Sequence, residues 1–129
     1  MLATVPDIAE IGVDALERKL PDALVLDVRE PEEYARGHVP GAINVPQAEL
    51  ASRLDELPRG RAILTICQSG ARSLRAAQFL KQMGFDQVAS VKGGTKAWLE
   101  AGKQLAFGDI SGVEKPRLKE SKWAHAGVF

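Results

Sequence analysis

The scarcest reactive group in this chain is the thiol: 129 residues contain a single cysteine, Cys67. One thiol cannot close a disulfide within the chain or build a cysteine-based metal site, a usage that fits a reducing compartment. Excess charge of either sign is also missing, since 17 lysines and arginines face 17 aspartates and glutamates. Without a global basic field nucleic acid is not an expected partner, and recognition must rest on local charges. Apolar runs fall far short of the about 20 residues that a membrane helix needs, so no membrane contact is expected. The N-terminus lacks the charged, apolar and small-residue succession of a secretory signal, which makes a cytoplasmic location the expectation. What is present fits one soluble domain: the length is near the common domain size and hydrophobic content is 45%.

The stretch Ala62-Ile63-Leu64-Thr65-Ile66-Cys67-Gln68-Ser69-Gly70-Ala71-Arg72-Ser73 organises the rest of the chain. Ala62 to Ile66 reads as a strand buried on both faces. The run from Ser73 through Leu74, Ala77, Phe79, Leu80 and Met83 reads as an amphipathic helix. Cys67 therefore sits at the carboxyl end of a strand, the rim where open parallel α/β sheets bind ligands and where helix N-termini point.

From Cys67 to Arg72 the loop counts six residues, with Gly70 at the fourth position. So short a connection must curl, and curling turns successive N–H groups inward as an anion-binding nest. Ser73 is read as the N-cap of the following helix and Arg72 as a permanent positive charge at the end of the loop. A free thiol of pKa about 8.5 is only about 3% thiolate at neutral pH. Lowering that pKa by roughly two units gains only about threefold in rate, because nucleophilicity falls with basicity. The larger benefit of a nest lies in holding an anionic donor and the charge that forms on the sulfur.

Cys67-Gln68-Ser69-Gly70-Ala71-Arg72-Ser73 resembles the active loop of single-domain rhodaneses, which are sulfurtransferases. Leu26-Asp27-Val28-Arg29-Glu30-Pro31-Glu32-Glu33-Tyr34 followed by Gly37-His38-Val39-Pro40-Gly41-Ala42 resembles the family's N-terminal signature. Gly84-Phe85, Val91-Lys92-Gly93-Gly94 and Trp98 resemble its C-terminal one. The three segments lie in order and at the usual spacings, within roughly residues 7 to 102. The resemblance implies a rhodanese-like three-layer α/β fold, with a central, mostly parallel sheet covered by helices on both faces. It implies that Cys67 accepts a sulfane sulfur as a persulfide and passes it to a nucleophile, with Gln68, Ser69, Gly70, Ala71, Arg72 and Ser73 forming the substrate-binding loop. No cofactor or metal is required. The implied partners are a small donor such as thiosulfate and a thiol or cyanide acceptor, with a protein acceptor as a further option.

Along the chain, Ile8 and Ile11 mark a short edge strand, Val13 to Leu20 a helix stopped by Pro21-Asp22, and Leu24-Val25-Leu26 a buried strand. Asp27 and Arg29 follow at its carboxyl end. They are either residues that fix the loops or a surface ion pair worth little, and the resemblance favours the first. Pro31 opens a short helix through Tyr34 and Ala35 that Gly37 ends. His38 is read as a structural loop residue rather than a general base for Cys67. Ala42 to Val45 is a short strand, Ala48 to Leu57 a helix with Leu50, Leu54 and Leu57 on one face, and Val88 to Val91 a strand. Gly93-Gly94 lack any phosphate-binding motif around them and are assigned to close backbone packing against the active loop. Thr95 to Ala101 is a helix that places Trp98 in the core. The alternation of strands and helices argues for a parallel sheet with right-handed crossovers.

Residues 103–129 lie outside the resemblance and form a C-terminal tail, docked or poorly ordered, beside a domain of residues 1–102. Five basic residues, three acidic residues and Pro116 without a sustained period favour disorder, whereas Trp123, Val128 and Phe129 favour docking. His125 has no second ligand nearby for a metal. The reading is a sulfurtransferase. Phosphatases and arsenate reductases that resemble rhodaneses carry a loop one residue longer, so six positions favour sulfur. A persulfide carrier or a protein-binding module is the other alternative.

Overall fold

The structure is a computed structural model that describes residues 7–108, so Trp123, His125, Val128 and Phe129 lie outside the described residues. Five strands, β1 (Ala9–Ile11), β2 (Leu24–Asp27), β3 (Ile43–Asn44), β4 (Ile63–Ile66) and β5 (Val88–Val91), form one sheet in the order β1-β5-β4-β2-β3. Every pairing is parallel. The helices are α1 (Val13–Lys19), α2 (Pro31–Ala35), α3 (Ala71–Gln82) and α4 (Gly94–Glu100), with a 3₁₀ segment at Gln47–Glu56. No helix of the described residues is long and apolar enough to cross a membrane.

The period of two along β2 and β4 divides the core. Leu24, Leu26, Ile63 and Cys67 pack with Leu50, Leu57, Ala76, Leu80 and Phe85, on the side of the 3₁₀ segment and α3. Val25, Leu64 and Ile66 turn the other way, to Leu16, Val39 and Trp98. Both central strands are buried on both faces, as their continuous apolar runs predict. Each such leucine or isoleucine contributes about 1.5–3 kcal/mol by leaving water.

Sheet order also locates a crevice. The chain leaves β2 outward to β3 on one side, and leaves β4 toward β5 on the other. The carboxyl ends of the adjacent β2 and β4 are thus the topological switch point, where loops diverge and leave room for a ligand. Asp27 pairs in register with Ile66, so Cys67 falls one residue past the end of that ladder.

One element departs from the expected helix at Ala48–Leu57. The segment is 3₁₀, and Arg53 breaks it with φ −120° and ψ 16°. It is confined between Pro46 and Pro58, and tight bonds such as Glu49 N–H to the Pro46 carbonyl hold its start. The break still leaves Leu50 and Leu57 buried, so burial of the leucines overrides helical regularity.

Residues 103–108 lie against the domain. His38 and Ala106 exchange backbone hydrogen bonds of 2.9 and 2.8 Å in an antiparallel bridge. Leu105 packs on the apolar cluster around Trp98, and Lys103 pairs with Asp14 at 2.8 Å and Glu17 at 2.7 Å.

Candidate active site

The loop from Cys67 to Ser73 closes within a few ångströms because Gly70 adopts φ +113°, a left-handed conformation that glycine enters without steric cost. That reversal starts α3 at Ala71, with Gly70 as its N-cap. Ser73 is therefore not the N-cap expected from sequence. It is the third residue of the first turn, fully buried, and its Oγ donates to the Gly70 carbonyl at 3.1 Å. Because a left-handed glycine already reverses the chain, the helix begins before the serine that capping preference would select.

Cys67 is only 1% exposed. Its Sγ accepts the Gly70 N–H at 3.1 Å and lies 3.5 Å from the Ser73 hydroxyl. Burial pushes the thiol up, but the Ser73 hydroxyl and the backbone N–H groups of Ser73, Gly70 and Ser69 together outweigh it and hold the pKa below the ordinary value. The curled nest is thus present, with its donors aimed at sulfur. Ser73 Oγ also lies 2.8 Å from Ser90 Oγ on β5. The single Ser73 proton, which lies on the Gly70 carbonyl beside a neutral thiol, turns to the sulfur when Cys67 is a thiolate, and Ser90 then supports Ser73 by donating to its oxygen.

Ser73→Ala removes a donor to the sulfur and leaves the push from burial less opposed, so the Cys67 pKa should rise. The acid limb of the rate profile should then move to higher pH. A hydrogen bond to a charged acceptor is worth about 1.5–3 kcal/mol, so the loss should reach about tenfold well below the wild-type limb and shrink above it. A pH series of Cys67 modification by a small electrophile checks this; an unshifted limb would mean that the hydroxyl does not act on the thiolate.

The other end of the loop is clamped by α4. The Thr95 N–H and Oγ1 donate to the Cys67 carbonyl at 2.8 and 3.0 Å, and the Lys96 N–H donates to the Gln68 carbonyl at 3.0 Å. This approach is possible because Gly93 and Gly94 have φ of +78° and +62°. A Cβ on Gly94 would sit 2.4 Å from the Cys67 carbonyl oxygen. Gly94 serves close packing against the loop, as its sequence context predicts, whereas a Cβ on Gly93 would meet Ala97 of α4 at 2.6 Å.

Asp27 and Arg29 form a buried brace and not a surface pair, with side chains 0% and 3% exposed. Arg29 Nε and Nη2 bind the Asp27 carboxylate at 3.0 and 2.9 Å, Nη2 also donates to the Gly37 carbonyl at 2.8 Å, and Nη1 reaches Gln68 Oε1 at 3.4 Å. Asn44 completes the brace by donating to the carbonyls of Asp27 and Arg29 at 3.0 and 2.9 Å. His38 belongs to the same loop: its ring stacks on Tyr34 at 3.6 Å, and Nδ1 lies 2.7 Å from the Tyr34 carbonyl oxygen.

Arg72 is the permanent positive charge expected at the end of the loop, and the structure adds a partner for it. Its guanidinium forks onto Glu33 of α2 at 2.8 and 3.0 Å. The Arg72 hydrogen bond holds the Glu33 carboxyl down to about 2, with burial opposing and the Glu30 N–H and Arg29 assisting. Glu33 also closes a capping box with Glu30 that starts α2. Gln68 and Ser69 stand exposed at the crest, and Ala71 is exposed on the first turn of α3. Sequence reading missed Glu33, Asn44, Thr95 and Ser90. Only Glu33 carried a local signal, the acidic third position of a capping box, and that signal points to α2 rather than to Arg72.

A buried sulfur anion facing converging N–H donors at a switch point can attack a soft electrophile and can hold the charge it acquires. Among the described residues no cluster of His, Cys, Asp and Glu is placed to hold a metal ion.

Comparison with known proteins agrees with this geometry. A sulfurtransferase of Allochromatium vinosum is 36% identical over 96 residues, covering 72% of this chain and 90% of the relative. A putative sulfur carrier protein of Bacillus subtilis is 40% identical over 94 residues, covering 70% of this chain but 51% of its own length. Among solved structures, a rhodanese-related protein from Thermoplasma volcanium superposes with a TM-score of 0.72 at 35% identity, covering 76% of this chain and 97% of that one. The family model for the rhodanese-like domain matches residues 12–101. That match runs from α1 through the Cys67 loop to α4, and the chain therefore belongs to the family of rhodanese-like domains.

Proposed function

We propose that this chain is a sulfurtransferase that moves sulfane sulfur from a small donor such as thiosulfate to a thiophilic acceptor, cyanide or a thiol, through a persulfide on Cys67. The observation that carries this reading is the set of donors around the Cys67 sulfur, with the Gly70 N–H at 3.1 Å. The Cys67 thiolate attacks the outer sulfur of the donor; a new sulfur–sulfur bond forms as the donor's own breaks, and the leaving group departs with the electron pair. The acceptor then attacks the outer sulfur of the persulfide, and Cys67 recovers its thiolate. Gln68, Ser69, Gly70, Ala71, Arg72 and Ser73 are the substrate-binding loop, and Asp27 and Arg29 hold the neighbouring loops in place. No cofactor enters either step, and the reducing cytoplasm suits a lone thiol.

The similarity to a putative sulfur carrier supports a second reading, in which the loaded chain delivers its sulfur to a protein rather than turning over on small acceptors. A panel of sulfane donors against cyanide and small thiols separates the two: multiple turnovers are expected, and loading without turnover would favour the carrier. The same panel should show aryl phosphates and arsenate processed no faster than by the Cys67→Ser variant. Cys67-dependent phosphate release would move the reaction to oxyanion chemistry.

A further inference from the structure

Both arginines beside the loop face carboxylates, but the two pairs differ. Arg29 and Asp27 are buried, and Arg29 also binds the Gly37 carbonyl and the Gln68 side chain, which makes it a fixed brace. Arg72 and Glu33 are 33% and 29% exposed, and they bridge α3 to α2 at the mouth of the site. Arg72 sits close enough to Cys67 for the sulfur's charge to act on it. Lys92 and Lys96 also belong to this rim and are exposed to solvent, where their charges are screened.

We propose that Glu33 sets the donor charge that the site accepts: by neutralising Arg72 it disfavours a dianionic donor such as thiosulfate relative to the persulfide of a thiol. The inference rests on the sulfur-transfer reading given above. Thiosulfate brings two negative charges to a thiolate that already carries one. Cys67 attack yields a persulfide anion and sulfite, so three negative charges remain throughout. The nest faces the sulfur of Cys67, and the remaining anionic charge needs a cation. A thiol persulfide brings at most one charge: its outer sulfur joins Cys67, its sulfur–sulfur bond breaks, and the thiolate leaves with the pair. That exchange needs no further cation. Arg72 is the cation suited to a sulfonate-like group, and Glu33 occupies its fork.

Glu33→Gln removes the charge and keeps a single amide oxygen that, in place of Oε1, still accepts from the Glu30 N–H at 3.0 Å and from Arg72 Nη1, while the amide nitrogen releases Nη2 from the fork. Second-order rate constants for loading Cys67, read by quenched intact-mass analysis, are measured with thiosulfate and with the persulfide of 2-mercaptoethanol. The thiosulfate-to-persulfide ratio should rise about tenfold in the variant at low salt and contract as ionic strength increases. The gain should vanish in the double variant Glu33→Gln, Arg72→Gln, where no cation is left to release. An unmoved ratio with loading intact, or a gain that persists in the double variant, would overturn charge selection and leave sulfur transfer standing. Failure of the wild type to load from either donor would overturn both.

Discussion

Cys67→Ser should reduce sulfur transfer to background while the domain remains folded. The hydroxyl keeps the two-atom geometry that meets the Gly70 N–H and Ser73, so the loop retains its internal contacts and stability should change by about 1 kcal/mol. Chemistry fails for a different reason: an alkoxide is far too basic to form at this position, and a neutral hydroxyl is a poor nucleophile toward sulfur. A thiosulfate:cyanide assay beside a thermal melt checks both halves. Retained transfer would remove Cys67 from the mechanism. Lost transfer with lost folding would make the serine variant uninformative about chemistry, and alkylation of folded wild type at its one thiol would then have to show the same loss.

The second large effect belongs to a residue with no side chain. Gly94→Ala would place a Cβ 2.4 Å from the Cys67 carbonyl oxygen and 2.6 Å from that of Gln68. Both contacts are backbone, so no side chain can swing away; either the loop or α4 must move. The backbone conformation, φ +62°, adds about 1–2 kcal/mol for a residue with a Cβ. The expected outcome is a loss of about 3 kcal/mol or more in a urea titration. Displacing the loop by about 1 Å should cost on the order of 10²-fold in transfer. Gly102→Ala is the matched control: its φ is +78°, yet its Cβ would meet nothing within 4 Å. It should show the conformational cost alone, about 1–2 kcal/mol, with transfer retained. Equal behaviour of the two variants would mean that contact with the loop carries no function.

The parts of this molecule that are legible in its sequence are those written in local periods. Ala62 to Ile66 and Leu24-Val25-Leu26 read as strands from their apolar runs, and the structure places β4 at Ile63–Ile66 and β2 at Leu24–Asp27, buried on both faces. Cys67 could then be placed on the rim of the sheet, and Gly93-Gly94 could be assigned to backbone packing because no phosphate motif surrounds them. The cap of α3 was misplaced because serine's preference at N-caps is local, whereas the start of this helix is set by Gly70 at φ +113°. Glu33 and Arg72 stand 39 residues apart, and nothing in either segment signals the other. Their meeting follows from sheet order, which brings the loop after β2 beside the loop after β4. Ser90 is a similar case: a serine in the middle of a short strand reads as neutral, until β5 lies beside β4 and its hydroxyl reaches Ser73. Asp27 and Arg29 were legible as a pair but not as a buried one, since depth depends on what Gly37, Asn44 and Gln68 place over them.

A persistent persulfide is the most direct consequence of a lone, buried thiol in such a nest. No second cysteine exists in the chain to resolve it, and Cys67, 1% exposed, is poorly placed to meet a partner's thiol. The deciding measurement is intact-mass analysis after incubation with a sulfane donor and removal of the excess. One added sulfur atom per chain is expected, lost on adding cyanide or a small thiol and absent from Cys67→Ser. Disulfide-linked dimers, or no adduct while steady-state transfer stays high, would contradict transfer through a Cys67 persulfide.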